Sequence, residues 1–361
     1  MTDRGLDAAR EVLARAVHDR IAPAAVAEVG ASNATLWREA FGRLTLDPGS
    51  PSTSPETVFD LASLTKPVAT TSVILALADR GALHLAEPVA AFFKEWRGAD
   101  REAVTLVDLL EHASGLPARL VDRPPPTRRE FEHDICALPL EYVPRTRSIY
   151  SDLGFILLGF VAEDRGRSPL AKQFQGLLEQ LRIPAPDSAG ALLAFDVRAL
   201  TLSRIAPTLP MEQDPRRGRM LVGEVHDDYA AALGGTAGHA GLFGTAGGVA
   251  AFARAVLRAA RGDATARAPL TPATIARSTA KTSVPSSSRA LGWDTMSPSS
   301  SCGTKLSTAA FGHTGFTGTS LWIDPVRDRY FVLLTNRVCG EGTVDQIQSV
   351  RRAFHDALGS V

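Results

Sequence analysis

The apolar strand-like runs of this chain lie at its two ends, and helical periodicity fills the stretch between them. Near the N-terminus, "AAVAEVG" (24–30) and "ATLWREAFG" (34–42) flank a turn containing Ser32 and Asn33. Near the C-terminus, "LWIDPVRDRYFVLLTN" (321–336) is two apolar strands around an Asp-Pro/Arg-Asp turn, a hairpin signal. Short strands need partners, so the two ends are expected to meet in one antiparallel sheet flanked by helices. The expected fold is therefore α+β, with residues 1–82 and 284–361 forming a discontinuous sheet domain. Residues 83–283 form a mostly helical second part, and the cleft between the two is the expected ligand site.

Leu6, Ala9, Val12, Leu13, Ala16 and Val17 recur at helical spacing. Further helices are expected in "TLVDLLEHA" after its threonine cap, "DLGFILLGFVAEDRG", "GTAGGVAAFARAVLRAARG", "TPATIARSTA", and from about Val344 to Leu358. A brief strand is expected in "VFDLA" (58–62). "RLVDRPPPTRREF" is expected to be a surface loop, and periodicity is poor from Pro184 to Asp227.

Composition excludes several classes. The 361 residues carry 39 Lys plus Arg against 39 Asp plus Glu, with no broad basic footprint for nucleic acid. No long uncharged apolar run suggests membrane insertion. The charged opening "MTDRGLDAAREVLARAVHDRIAP" lacks an apolar signal core, so a cytoplasmic location is expected. Cys136, Cys302 and Cys339 are scattered without CxxC spacing, which fits reduced structural thiols and suggests neither a disulfide frame nor a zinc site.

The stretch "FDLASLTKPVATTSVILALADRG" (59–81) carries the first chemistry. Ser63 and Lys66 are three residues apart, which on a helix puts their Cβ atoms roughly 5–6 Å apart on one face. The helix is apolar nearly all round, so it is expected to be buried, and Lys66 then needs a partner. Alone, such a pair is more often a capping serine with a solvated lysine. As a nucleophile, Ser63 would use the free N–H groups of a helix start, and Lys66 would need to be neutral part of the time. Burial and nearby positive charge would favour that. Two further pieces follow. "RSIYSDLGF" places Tyr150 before Ser151, Asp152 and a buried helix, and "FGHTGFTG" places His313, Thr314 and Gly315 on a strand whose glycine allows close approach.

In this order the three pieces resemble the serine β-lactamase and penicillin-binding superfamily, in particular the group of class C β-lactamases, DD-peptidases and β-lactamase-like esterases. That group carries Ser-x-x-Lys, Tyr-x-Asn, and Lys-Thr-Gly or His-Thr-Gly. "LVDLLEHASGLP", the closing "LTN" and "RGRMLVGEVHDDYAAALGGTAGHAGLFGTA" extend the resemblance over nearly the whole chain. It implies an acyl-enzyme at Ser63, with Lys66 and Tyr150 as the proton-transfer pair. His313, Thr314 and Gly315 would line the substrate, and the backbone N–H groups of Ser63 and Phe316 would form the oxyanion hole. It implies no metal and no organic cofactor. The expected substrate is a small acyl ester or amide; oligomeric state is left open. Acyl transfer, DD-peptidase or transpeptidase work, and β-lactam hydrolysis are alternatives, as is a silent binding protein of the same fold.

Two departures bear on these alternatives. Asp152 stands where the family usually has asparagine, and a carboxylate cannot donate to a substrate carbonyl unless protonated. His313 replaces the lysine of class C β-lactamases. His226, Asp227 and Asp228 in "GEVHDDY" are read as an active-site wall or solvated loop rather than a metal site, since neighbours on a strand face opposite ways. His112 and His239 are read as hydrogen-bonded structural histidines, and Ser114 as a helix-end residue. No Gly-x-Ser-x-Gly elbow occurs.

Overall fold

The two ends of the chain do build one sheet. The computed structural model describes residues 3–120, 124–183 and 190–359. Its main sheet has six strands in the order β2-β1-β9-β8-β7-β6, every neighbouring pair antiparallel. The strands are β1 (Ala24–Gly30), β2 (Thr35–Gly42), β6 (Asp294–Thr295), β7 (Phe311–Thr314), β8 (Ser320–Asp324) and β9 (Arg329–Thr335). Strand β1 joins the ends: it pairs with β2 on one edge and with β9 on the other, Ala25 opposite Thr335 and Gly30 opposite Tyr330.

Every residue of β1 is buried, which explains its continuous apolar run, because both faces of the sheet are covered. The period-2 alternation of a strand divides its side chains between two cores. Ala27 and Val29 join Phe331 and Leu333 in a cluster with Leu13 of α1 (Asp3–His18) and Phe354 of α10 (Val344–Gly359). Val26, Val332 and Leu334 belong to the larger core with α2 (Ser72–Asp79) and α8 (Ala246–Ala260). Glu28 points into this second layer fully buried, and its charge is met by Arg38 at 2.6 Å and the Tyr330 hydroxyl at 2.8 Å. Helix α8 lies inside the 83–283 stretch expected to be the helical part, yet it packs on the main sheet.

The remaining helices are α3 (Leu106–Leu110), α4 (Arg128–Ala137), α5 (Asp152–Gly166), α6 (Leu170–Gln180), α7 (Asp228–Ala232) and α9 (Pro272–Thr279). Their starts follow the side chains that can satisfy free N–H groups. Asp108 accepts from the Thr105 N–H at 2.8 Å, Thr127 caps α4, and Ser151 caps α5. Helix α5 is buried from Leu153 to Ala162 and is apolar on all sides accordingly. A second, three-stranded sheet pairs β3 (Phe59–Asp60), β5 (Phe243–Gly244) and β4 (Leu193–Ala194), drawing strands from both expected parts of the chain.

Three local expectations change. The helix expected to open at Ser63 is broken into a 3-10 turn (Ala62–Leu64), a π-helical turn (Lys66–Thr71) and α2. Pro67 has no N–H to give a regular ladder, and Ala62 is held at φ +47°. The strand expected over 58–62 shortens to Phe59–Asp60 because Leu61 and Ala62 turn away. The weakly periodic region holds β4 and a 3-10 turn at Leu202–Arg204. Residues 121–123 of the proline-bearing loop and residues 184–189 lie outside the described residues.

Asp60 fastens the broken turn. Its carboxyl accepts the Ala62 N–H at 2.8 Å and the His226 N–H at 2.6 Å, fully buried, and burial pushes its pKa up to about 6. Between the ordinary aspartate value and 6 the folded chain therefore holds a proton that the unfolded chain has lost, so stability falls as pH rises through that window. The expected outcome is that the unfolding free energy of wild type relative to Asp60→Asn declines by up to about 3 kcal/mol from pH 4 to pH 7. Denaturant melts of the two proteins across that range check it.

Candidate active site

Glycines let three elements close on the 62–66 turn. Thr317 and Thr319, just past β7, donate their hydroxyls to the carbonyls of Asp60 (2.8 Å) and Leu61 (3.0 Å). Gly315 sits between them and the turn, and a Cβ there would stand 2.5 Å from the Leu61 oxygen. From the other side the loop before β5 presses on α5. A Cβ on Gly238 would fall 2.0 Å from the Phe155 oxygen, and Thr70 holds the Gly238 carbonyl at 2.6 Å. This brings the neighbouring His239 carbonyl to Lys66.

Lys66 is completely buried and bonded in three directions. Its Nζ donates to Ser63 Oγ at 3.0 Å, to Asp152 Oδ1 at 2.7 Å and to the His239 carbonyl at 3.2 Å. It also lies 4.7 Å from the centre of the Tyr150 ring. Burial pushes the amine down, but Asp152 first and Tyr150 next outweigh it, and the net shift is upward. The expectation that Lys66 is neutral part of the time is thus corrected. The nearest charge is a carboxylate, which the sequence reading assigned to substrate contact. Asp152 instead serves as the counter-ion of the lysine.

The Tyr150 hydroxyl is buried and outside hydrogen-bonding geometry with every described group. Its ring is flanked by His112 (4.6 Å between centres), His313 (5.8 Å) and the Arg289 guanidinium (5.1 Å). Burial, then the charges of Arg289 and Lys66, hold both histidines well below the ordinary imidazole value, so both are neutral. Their tautomers follow from their partners. His313 Nδ1 donates to the Thr314 carbonyl at 2.8 Å, leaving Nε2 as a bare acceptor, while His112 Nδ1 accepts the Ser151 N–H at 3.0 Å, leaving Nε2 as a donor. Neither Nε2 has a partner among the described residues. His112 is buried and hydrogen-bonded as expected, and its ring borders Tyr150.

Asp152 opens a chain of charges. Arg119 Nη1 reaches Asp152 Oδ2 at 3.3 Å and Asp227 Oδ2 at 2.9 Å, and its Nη2 reaches Asp228 Oδ1 at 2.5 Å. The guanidinium lies 3.9 Å from the centre of the Tyr229 ring, and these carboxylates push its pKa up despite burial. Asp227 Oδ1 meets His239 Nε2 at 2.7 Å; burial raises that carboxyl, but His239 and Arg119 bring it well below the usual range. Asp152, Asp227 and His239 place one donor atom each within 4.8 Å of the others. Lys66 and Arg119 already neutralise these carboxylates, so the cluster is an ion-pair network, with little charge left to attract a metal. His226 stands apart from it, its ring 5.6 Å from Phe316.

Two pockets meet at Ser63. One, of about 370 Å3, is lined by Arg119, Asp152, Asp228, His226 and Met211. The other, of about 290 Å3, is lined by His313, Thr314, Gly315, Arg289, Arg337 and Arg351. Ser63, Tyr150 and Phe316 border both. Arg337 and Arg351 are buried, donate only to backbone carbonyls, and like Arg289 have no carboxylate partner among the described residues. Burial, then Arg337, lowers Arg351 to about 9.

Every residue singled out in the three motifs is thus brought to one cleft: Ser63, Lys66, Tyr150, Asp152, His313, Thr314, Gly315 and Phe316. Sequence reasoning missed Arg119, Arg289, Arg337 and Arg351. The only signal for Arg119 was its place two residues beyond "SGLP", and the other three are spread among many arginines.

The chain is similar to known proteins in sequence and fold. The chain matches the family described as Beta-lactamase over residues 9–352. It is 31% identical over 303 residues to the N-acetylmuramyl-L-alanine amidase of Bacillus subtilis (strain 168), covering 78% of this chain and 68% of that protein. It is 29% identical over 308 residues to a protein of Escherichia coli (strain K12) described as a putative D-alanyl-D-alanine carboxypeptidase, covering 78% and 69%. The structure of EstCE1, a hydrolase with promiscuous acyltransferase activity, superposes with a TM-score of 0.73 at 19% identity, over 97% of this chain and 98% of that one. The chain belongs to the β-lactamase family and is a serine hydrolase.

Proposed function

We propose that the protein is an esterase or amidase that works through an acyl-enzyme at Ser63, on a small acyl substrate whose leaving group carries an anion. The observation that supports it most is the Ser63 Oγ···Lys66 Nζ contact of 3.0 Å at the point where the two pockets meet. Ser63 Oγ adds to the substrate carbonyl, and the developing oxyanion sits between the backbone N–H groups of Ser63 and Phe316. Lys66 carries the Ser63 proton, and water then cleaves the ester with the Tyr150 hydroxyl, free among the described residues, at hand. All of this uses side chains and backbone of this chain, with no cofactor.

The anion is argued from charge. Arg289, Arg337 and Arg351 share one pocket with a single lining carboxylate, Asp294, which accepts from the Ser288 hydroxyl and the Thr295 N–H and pairs with none of the three. A substrate carboxylate entering there relieves mutual repulsion as well as gaining charge-assisted bonds. His313, neutral, contributes shape and a lone pair rather than charge. The amide-cleaving relatives in two bacteria favour an amide over a simple ester as the natural bond.

Two outcomes are expected. Incubation with an activated ester or a β-lactam gives an intact-mass increase that is absent in Ser63→Ala. No adduct and no turnover with either reagent defeats the reading, while an adduct cleared faster by added amine than by water redirects it to acyl transfer. Arg289→Ala raises KM for a substrate with a carboxylate in its leaving group by about 10- to 100-fold, the worth of a charged hydrogen bond, and leaves KM for a neutral ester within twofold. Steady-state kinetics on a matched pair of substrates check this.

A further inference from the structure

We propose that Asp152 is the terminal acceptor of the Ser63 proton, reached through Lys66, and that Arg119 is the positioning residue that holds Asp152 in line. This rests on Ser63 being the nucleophile.

The argument starts from the bond count at Lys66. An ammonium has three N–H groups and no lone pair. All three are committed, to Ser63 Oγ, Asp152 Oδ1 and the His239 carbonyl, with the side chain fully buried. Lys66 can take a proton from Ser63 only by giving one up. Of its other two partners, a carbonyl cannot keep a proton and a carboxylate can. The Tyr150 hydroxyl is not hydrogen-bonded to it or to Ser63. The short Lys66–Asp152 contact of 2.7 Å is therefore the exit.

The step balances. At rest the three groups are a hydroxyl, an ammonium and a carboxylate. Lys66 first passes the proton facing Asp152 to Oδ1 and turns the freed lone pair toward Ser63. As the Oγ–carbon bond forms and the carbonyl π pair moves to oxygen, the Ser63 proton then passes to Nζ. The result is a tetrahedral oxyanion, an ammonium and a carboxylic acid. On collapse the bond from carbon to the leaving group breaks with its electron pair. The leaving atom takes a proton from Lys66, which Asp152 replaces, and the carboxylate returns. A substrate that closes the cleft over this buried pair makes its transient neutralisation easier, since separated charges are costliest where water is excluded.

Arg119 supplies the alignment. It grips Asp152 by Oδ2, the oxygen turned away from Lys66, and is itself fixed by Asp227, Asp228 and the Tyr229 ring. Asp227 is in turn bonded to His239, whose carbonyl holds Lys66, so the network closes on itself. The charged and titratable groups facing Lys66 and Asp152 are Arg119, Asp227, Asp228, His239, Tyr150, His112 and His313, with Arg289 across the Tyr150 ring. Arginines stay charged and His112 and His313 stay neutral, so a change at Arg119 reaches the reaction through Asp152 and its carboxylate neighbours.

The test is the pH profile of kcat/KM, and of single-turnover acylation, with an activated ester for wild type, Asp152→Asn and Arg119→Gln. Asp152→Asn is expected to slow acylation at least about 100-fold from pH 5 to 9, the scale of a lost proton acceptor. Acylation within threefold of wild type, or faster above neutrality, overturns the proposal, because Lys66 freed of its carboxylate would then be the base itself. Arg119→Gln removes a cation beside Asp152 and is expected to move the acid limb to higher pH by about one unit. A uniform loss with an unmoved limb overturns the positioning role, and this variant decides alone if Asp152→Asn does not fold. Absence of any adduct on wild-type Ser63 would defeat the underlying reading instead, so the two failures are distinguishable.

Discussion

A single buried ammonium organises the centre of this protein. Lys66 has no exposure, and a charge in that position is tolerable only where each N–H finds an acceptor and a carboxylate lies alongside. Those partners come from three separate elements, the Ser63 turn, the start of α5 and the loop before β5, and Arg119 of the segment after α3 backs Asp152. None is close to the others in sequence apart from Ser63. The geometry of the cleft is to that extent the solution to one desolvation problem, and the ion-pair chain from Asp152 to His239 is its outer layer.

The second constraint is steric. Backbone must pass very close to backbone where the loop at Gly238 meets Gly159 and where Gly315 meets Leu61, and any side chain would keep the elements apart. Ala62, in a left-handed conformation next to Ser63, shows that the turn is held by its surroundings rather than by its own preference. Asp60 and the two threonine hydroxyls after β7 are those surroundings. Several fasteners thus converge on the site.

Much of this was legible in the residues. The sheet from both ends follows from where the apolar runs fall, and most helix limits follow from caps, as with Ser151 before α5 and Thr245 before α8. The motifs gathered as the family resemblance implied. What failed to show was charge state and long-range pairing. Lys66 reads as neutral until Asp152, 86 residues away, is seen to touch it. Arg119 and the three arginines of the other pocket are ordinary surface residues in sequence, because nothing local records that their carboxylates are distant or missing. The broken helix at Pro67 was hidden for a different reason: apolar periodicity continues through a π turn almost unchanged.

The junction of β1 with β9 has a consequence for how the protein comes into being. The turn that bears Ser63 is made before the strand that closes the sheet over it, the pocket arginines at 337 and 351, and the α10 face that covers β1. A ribosome-bound chain thus holds a finished serine–lysine segment with an open sheet edge and no far wall to its cleft. The order of the strands makes the far wall of the cleft depend on residues that lie far downstream of the serine–lysine segment.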